Sequence, residues 1–170
     1  MAAVIRSKLS AILPLIKTQL MATTSFPTER VLISMRDVHP NVMQADQYIV
    51  IRPRGSVTDE PIEIGAGRVD TRLSRRVAII LRTRLEIDQD HVDVEWLTNA
   101  TYGHLDVEHQ IIDSLQDFQV IDSSANWLVV QPMKLGPVSD PNPVPEFTGW
   151  GQSVQEYEVK YEADLTQTYQ

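Results

Sequence analysis

Between Val69 and Ile87 the odd-numbered positions Val69, Leu73, Val77, Ile79, Leu81, Leu85 and Ile87 are apolar, with Arg75 the exception, while even positions carry Arg68, Arg72, Arg76, Arg82, Arg84 and Glu86. A period of two sustained this long is that of a β-strand with one face on a core. At about 3.3 Å per residue the strand would run roughly 60 Å, wider than a domain of this size, so it must bend, bulge or project as an arm. A second run shares the period. Tyr157, Val159, Tyr161, Ala163 and Leu165 alternate with Glu156, Glu158, Lys160, Glu162 and Asp164. Its polar face is acidic where that of the first strand is basic, so the two are expected to be neighbours in one sheet.

Other elements fall around these strands. Val4, Ile5, Leu9, Ile12, Leu13, Ile16 and Leu20 recur at helical spacing, as in a helix laid on a core, with Pro14 marking a kink or break. The same segment carries Arg6, Lys8 and Lys17 and no acid, a superficial likeness to a transit peptide; the helical stripe favours the docked helix. Val31 to Ser34 and Tyr48 to Arg52 read as short strands, the second stopped by Arg52-Pro53-Arg54-Gly55 and followed by a polar loop to Gly65-Ala66-Gly67. His91 to Leu97 and Trp127 to Gln131 read as further strands, with a turn at Ser123-Ser124-Ala125-Asn126 before the latter. Val107, Ile111, Ile112, Leu115 and Phe118 form the stripe of a second helix over 105–118, with Asp106 and Glu108 in its first turn. Residues 132–151 hold five of the ten prolines and three of the seven glycines, and read as a long irregular loop whose Phe147 and Trp150 are expected to contact other subunits. The expected fold is therefore a single α/β (α+β) domain over 1–170: a mostly antiparallel sheet packed by an N-terminal helix and a second helix.

Composition narrows the function classes. With 170 residues, 42% of them hydrophobic, the chain can build one core without staples, and with no cysteine it can form neither a disulfide nor a thiolate metal site. No apolar run approaches the roughly 18 residues of a membrane span, so no membrane partner is expected. Residues 1–85 hold 13 Lys/Arg against 7 Asp/Glu, a net of +6, whereas residues 86–170 hold 2 against 16, a net of −14. The total of −8 argues against a dedicated nucleic-acid binder. The division itself has two readings: basic and acidic strands paired within one sheet, or opposite charges facing each other between subunits. On the second, Arg72, Arg76, Arg82 and Arg84 would meet Glu156, Glu158 and Glu162 of a neighbour.

Motifs for chemistry are sparse. His91, Asp93 and Glu95 share one face of a presumed strand, but positions two apart lie almost 7 Å from each other, too far to converge on a metal unaided. His104 and His109 are five apart and on different helix faces, as surface residues would be. Ser123-Ser124 lacks a nucleophile elbow, Gly65-Ala66-Gly67 lacks the pattern of a phosphate loop, and Asn99-Ala100-Thr101 is a chance glycosylation match. No catalytic, cofactor-binding or metal residue is assigned, and no enzyme is expected.

The order of elements, together with "VIRSKLSAILPLI", "GRVDTRLSRRVAIILRTRLEID" and the closing "VQEYEVKYEADL", resembles the tail-terminator (tail-completion) proteins of long-tailed bacteriophages. The resemblance implies a virion structural subunit, made in the host cytoplasm, that closes with copies of itself into a hexameric ring. Such a ring caps the tail tube, meets the tube protein on one side and the head connector and neck proteins on the other, and lets DNA pass unread. The alternatives are a neighbouring head–tail joining protein, a small metal-dependent hydrolase acting near His91, and a generic adaptor domain.

Overall fold

A computed structural model of the chain describes residues 8–43, 45–64, 68–85, 103–122, 124–125 and 128–163. The strand expected at His91 to Leu97, and with it His91, Asp93 and Glu95, lies outside them, as do Gly65-Ala66-Gly67 and Asn99-Ala100-Thr101.

Helix α1 spans Lys8–Thr24 and passes through Pro14 unbroken. Proline inside a helix costs about 3 kcal/mol. Here Ile12, Leu13, Ile16 and Leu20 all go into the core, and each buried aliphatic returns about 1.5–3 kcal/mol. Ser25, at φ 58, turns the chain out of the helix. Strand β1 (Val31–Ile33) follows, then a short helix α2 (Pro40–Met43), strands β2 (Gln47–Ile64) and β3 (Arg68–Arg84), helix α3 (His104–Leu115), short strands β4 (Lys134–Val138) and β5 (Asn142–Pro143), and the closing β6 (Trp150–Ala163).

The strands form one mixed sheet in the order β1-β2-β3-β6-β4, with β5 also on β6. Among the described residues only the β1–β2 pair is parallel. The two long alternating runs are adjacent, as expected: β3 and β6 pair antiparallel from Thr71↔Ala163 to Arg84↔Trp150, with Val77 opposite Tyr157. Odd-numbered residues of both, among them Val77, Ile79, Leu81, Tyr157 and Val159, join Ile49 and Ile51 of β2 under α1 and α3. The helices are tied together by Thr23 and Ser114, whose hydroxyls are 3.0 Å apart.

Four expectations are corrected. First, β2 does not stop at Arg52 but runs on to Ile64, replacing the expected polar loop. The proline is tolerated because of where its missing donor would point. Ile51 accepts through its carbonyl from Ser34, the residue just after β1 (3.0 Å), so Pro53, two residues on, also faces the β1 side, just past the end of that short strand. A bulge lies here in β2, a register shift between Arg54 and Thr58 with Gly55 at φ 71, and not in β3, the strand whose length called for a bend, bulge or arm. Second, the segment 132–151 is not wholly irregular: Lys134–Val138 pairs with β6 at the sheet edge, where Pro137 needs no ladder partner. Third, residues 128–131 are bends rather than a strand, although Val130 donates its N–H to the Lys160 carbonyl (2.8 Å). Fourth, the even face of the sheet is not solvated in its centre. Tyr48, Val50, Ala78 and Ile80 form a second buried cluster, covered by Val38, Met43, Trp150 and Val154.

Candidate interaction surface

The cover on the even face is assembled by one side chain. Arg82, only 4% exposed, reaches across β3 toward the segment before α2: its Nη1 donates to the Val38 carbonyl (2.7 Å) and to the Tyr48 hydroxyl (3.2 Å), its Nη2 to Asp37 (3.3 Å), and its Nε to the Gln152 Oε1 of β6 (3.1 Å). The guanidinium carbon lies 4.8 Å from the ring centroid of Phe147, a cation–π distance. Phe147 in turn meets the His39 ring edge-on at 4.9 Å, and Trp150 meets Tyr48 at 5.5 Å. Thus Arg82, Phe147 and Trp150, expected as contacts to other subunits, also hold the chain's own loops on its own sheet.

Beside this cover lies a cleft of about 240 Å³. Arg52, Arg54 and Arg82 supply its cations and Asp37 and Glu146 its acids, over an apolar floor that includes Ile80 and Val154. Asp37 bonds both Arg52 and Arg82. The Arg52 bond, with the nearby positive charges, holds the Asp37 carboxyl below the ordinary range despite some desolvation. Burial pushes the Tyr48 phenol up. The Nε of Arg52 is buried and has no hydrogen-bond partner.

Along the exposed part of the even face the strands form a ladder of charge. Glu156 is shared by Arg76 (3.3 Å) and Arg54 (3.6 Å), Glu158 accepts from Ser74 (2.7 Å) and lies 3.8 Å from Lys160, and Arg84 meets Asp46 (3.3 Å). By register Arg72 faces Glu162. The acids expected opposite the arginines are therefore opposite them in the same subunit. Such exposed pairs contribute about 0.2–1 kcal/mol each.

The sequence reading missed a polar cluster on the other face. His104 was expected on the surface; it is fully buried, with Nδ1 2.9 Å from the Thr83 hydroxyl and Nε2 2.8 Å from that of Ser153. Gln47 donates to Thr83 (3.0 Å), and Glu108 stands 3.9 Å from Nε2. Burial pushes the imidazole down to about 4. A signal was present: 104, 107, 111 and 115 continue one helical stripe, so the core face of α3 begins at the histidine. His109 is exposed, beside Asp113 (3.5 Å). A serine next to a histidine resembles a nucleophile and its base, but both are sealed beneath α3, and an imidazole pushed to 4 is a weak base. Gln47, Thr83, His104 and Ser153 satisfy one another and join α3 to β2, β3 and β6, while the buried Oε2 of Glu108 has no hydrogen-bond partner among the described residues.

No protein-family model matches the chain, and no curated protein matches it. Among the described residues no group of three or more His, Asp or Glu is placed to hold a metal, and no helix is long and apolar enough to cross a membrane.

Proposed function

We propose that this chain is the subunit of a ring that caps the tail tube of a long-tailed bacteriophage and joins it to the head connector, with DNA passing through the channel. The reading rests on the resemblance of the long strands and the opening helix to tail-terminator proteins. The observation that carries it is the two-sidedness of the subunit. One sheet face is roofed by two helices, of which α3 contains no Lys or Arg, and the other carries arginines and a cleft. A ring built from one kind of subunit needs two different, complementary surfaces. A net charge of −8 also suits a conduit that must not grip phosphate.

The test is the mass and image of the purified protein. Light scattering is expected to give an assembly of about six copies, and negative-stain images a closed ring with an open centre. A monomer at every concentration, indifferent to tube protein, would remove the reading and leave a generic adaptor domain.

A further inference from the structure

Arg52, Arg54, Arg76, Arg82, Arg84, Glu156, Glu158 and Lys160 all have opposite charges within the chain, so a contact between copies has to use what is left over. On α3 the outward stripe runs Asp106, His109 and Asp113, continuing to Asp117 just past the helix end; all are exposed, and Leu105 beside them is 43% exposed. Along that stripe His109 stands 3.5 Å from Asp113. The opposite stripe, Val107, Ile111 and Leu115, is in the core against the odd face of the sheet. Acidic stripe and arginine cleft therefore lie on opposite sides of one sheet, and a subunit cannot bring its own stripe to its own cleft.

The cleft has unused capacity for an acid. Its three guanidinium groups outnumber its two carboxylates, Asp37 and Glu146; Arg52 and Arg82 share Asp37, and Arg54 makes only a 3.6 Å contact with a Glu156 already taken by Arg76. The Arg52 Nε is a buried donor without an acceptor. That Nε is enclosed, so the guanidinium an incoming carboxylate can reach is that of Arg54, 42% exposed and loosely held, where it would gain a charge-assisted hydrogen bond. The apolar floor offers a seat for an apolar side chain next to that acid.

We propose that this cleft is the socket of a heterologous contact between copies of the chain: it receives a carboxylate from the α3 stripe of the next copy, with Leu105 of that copy on the apolar floor. The inference rests on the ring reading and names the surfaces that close the ring. Repeated from copy to copy, a socket on one side and an acidic helix on the other generate a closed ring or a filament.

The experiment compares the parent with Arg54→Glu, with Asp106→Arg/Asp113→Arg, and with the three changes combined. Circular dichroism checks folding, and light scattering reads mass over a concentration series. Arg54 is 42% exposed and loosely held, so its reversal should leave the monomer folded. Each reversed protein is expected to need at least about tenfold more protein to assemble, and the combined protein to recover most of that loss. If Arg54→Glu does not fold, the helix variant, which alters only exposed positions, decides alone. A parent that never assembles sinks the ring reading itself. A parent that assembles while the reversed proteins do so equally well overturns only the socket, as does a combined protein whose losses simply add.

Discussion

The Arg82 guanidinium lies 4.8 Å from the Phe147 ring centroid and 3.3 Å from Asp37, so one side chain of β3 pins two loops from distant parts of the chain to the same sheet face. Replacing it by alanine takes a charged donor from the buried Tyr48 hydroxyl, from the half-buried Gln152 and from the half-buried Val38 carbonyl, which keeps the Tyr48 hydroxyl at 3.0 Å, and leaves Asp37 with Arg52 alone. The cost is expected to be about 3 kcal/mol in urea unfolding. Arg82→Lys should recover only part, because three donors on one nitrogen cannot span the four separated acceptors that the guanidinium serves. Arg84, two residues on and exposed beside Asp46, is the control: its alanine variant should shift stability by less than about 0.5 kcal/mol. Equal effects at both positions would contradict this division between inside and outside.

Gly55 makes a different demand. A Cβ there would meet no atom within 4 Å, yet φ is +71°, so the requirement comes from the backbone alone. Gly55→Ala is expected to destabilise by about 1 kcal/mol, and Gly55→Asn by less, because asparagine tolerates the left-handed region better. Thermal melts of the two variants give the ordering, and an alanine melting above the asparagine would count against a strained bulge.

The parts of the fold legible in sequence are those where one periodicity covers many residues. Alternation placed Val77 and Tyr157 on one face and made neighbours of their strands, and the Leu9 to Leu20 stripe placed α1. What escaped depends on contacts between remote segments. Nothing near Pro53 reveals that β1 ends beside it, which is what lets β2 continue. Nothing near Pro137 reveals the edge position that admits it to β4. The arginines at 76 and 82 look alike along the chain, yet one is exposed beside Glu156 and the other is enclosed by Asp37 and Phe147. His104 is the exception among the misses, since its place on the α3 stripe was readable but its polarity argued for the surface.

Ser153 separates the structural account of the buried cluster from a catalytic one. Ser153→Ala removes the partner of the His104 Nε2 and is expected to cost about 1–3 kcal/mol, the penalty of an unsatisfied buried polar group. Assembly at temperatures where the variant remains folded should match the parent. A folded, stable Ser153→Ala protein that had lost its function would revive the hydrolase.

His104 should also make stability depend on pH in a defined window. Its folded pKa is held down at about 4 by burial, while the imidazole of the unfolded chain titrates near 6.5. Between those values the unfolded chain binds a proton that the folded one does not, so stability rises with pH across the window. The contribution is fully present above pH 6.5 and is lost as pH falls toward 4, amounting to about 3 kcal/mol. Glu108 works in the opposite sense, but at 3.9 Å from Nε2 it makes no hydrogen bond and does not overcome the burial. Carboxylates elsewhere begin to titrate in the lower part of the same range, so the quantity to measure is the difference between the parent and His104→Gln in urea unfolding at each pH from 7 to 4. The glutamine variant is expected to be less stable at pH 7, where it replaces two good hydrogen bonds imperfectly, and to lose stability more slowly on acidification, so that the gap narrows. Parallel curves would mean that the imidazole takes up its proton without leaving the core, with Glu108 or a rearranged Ser153 accommodating the charge.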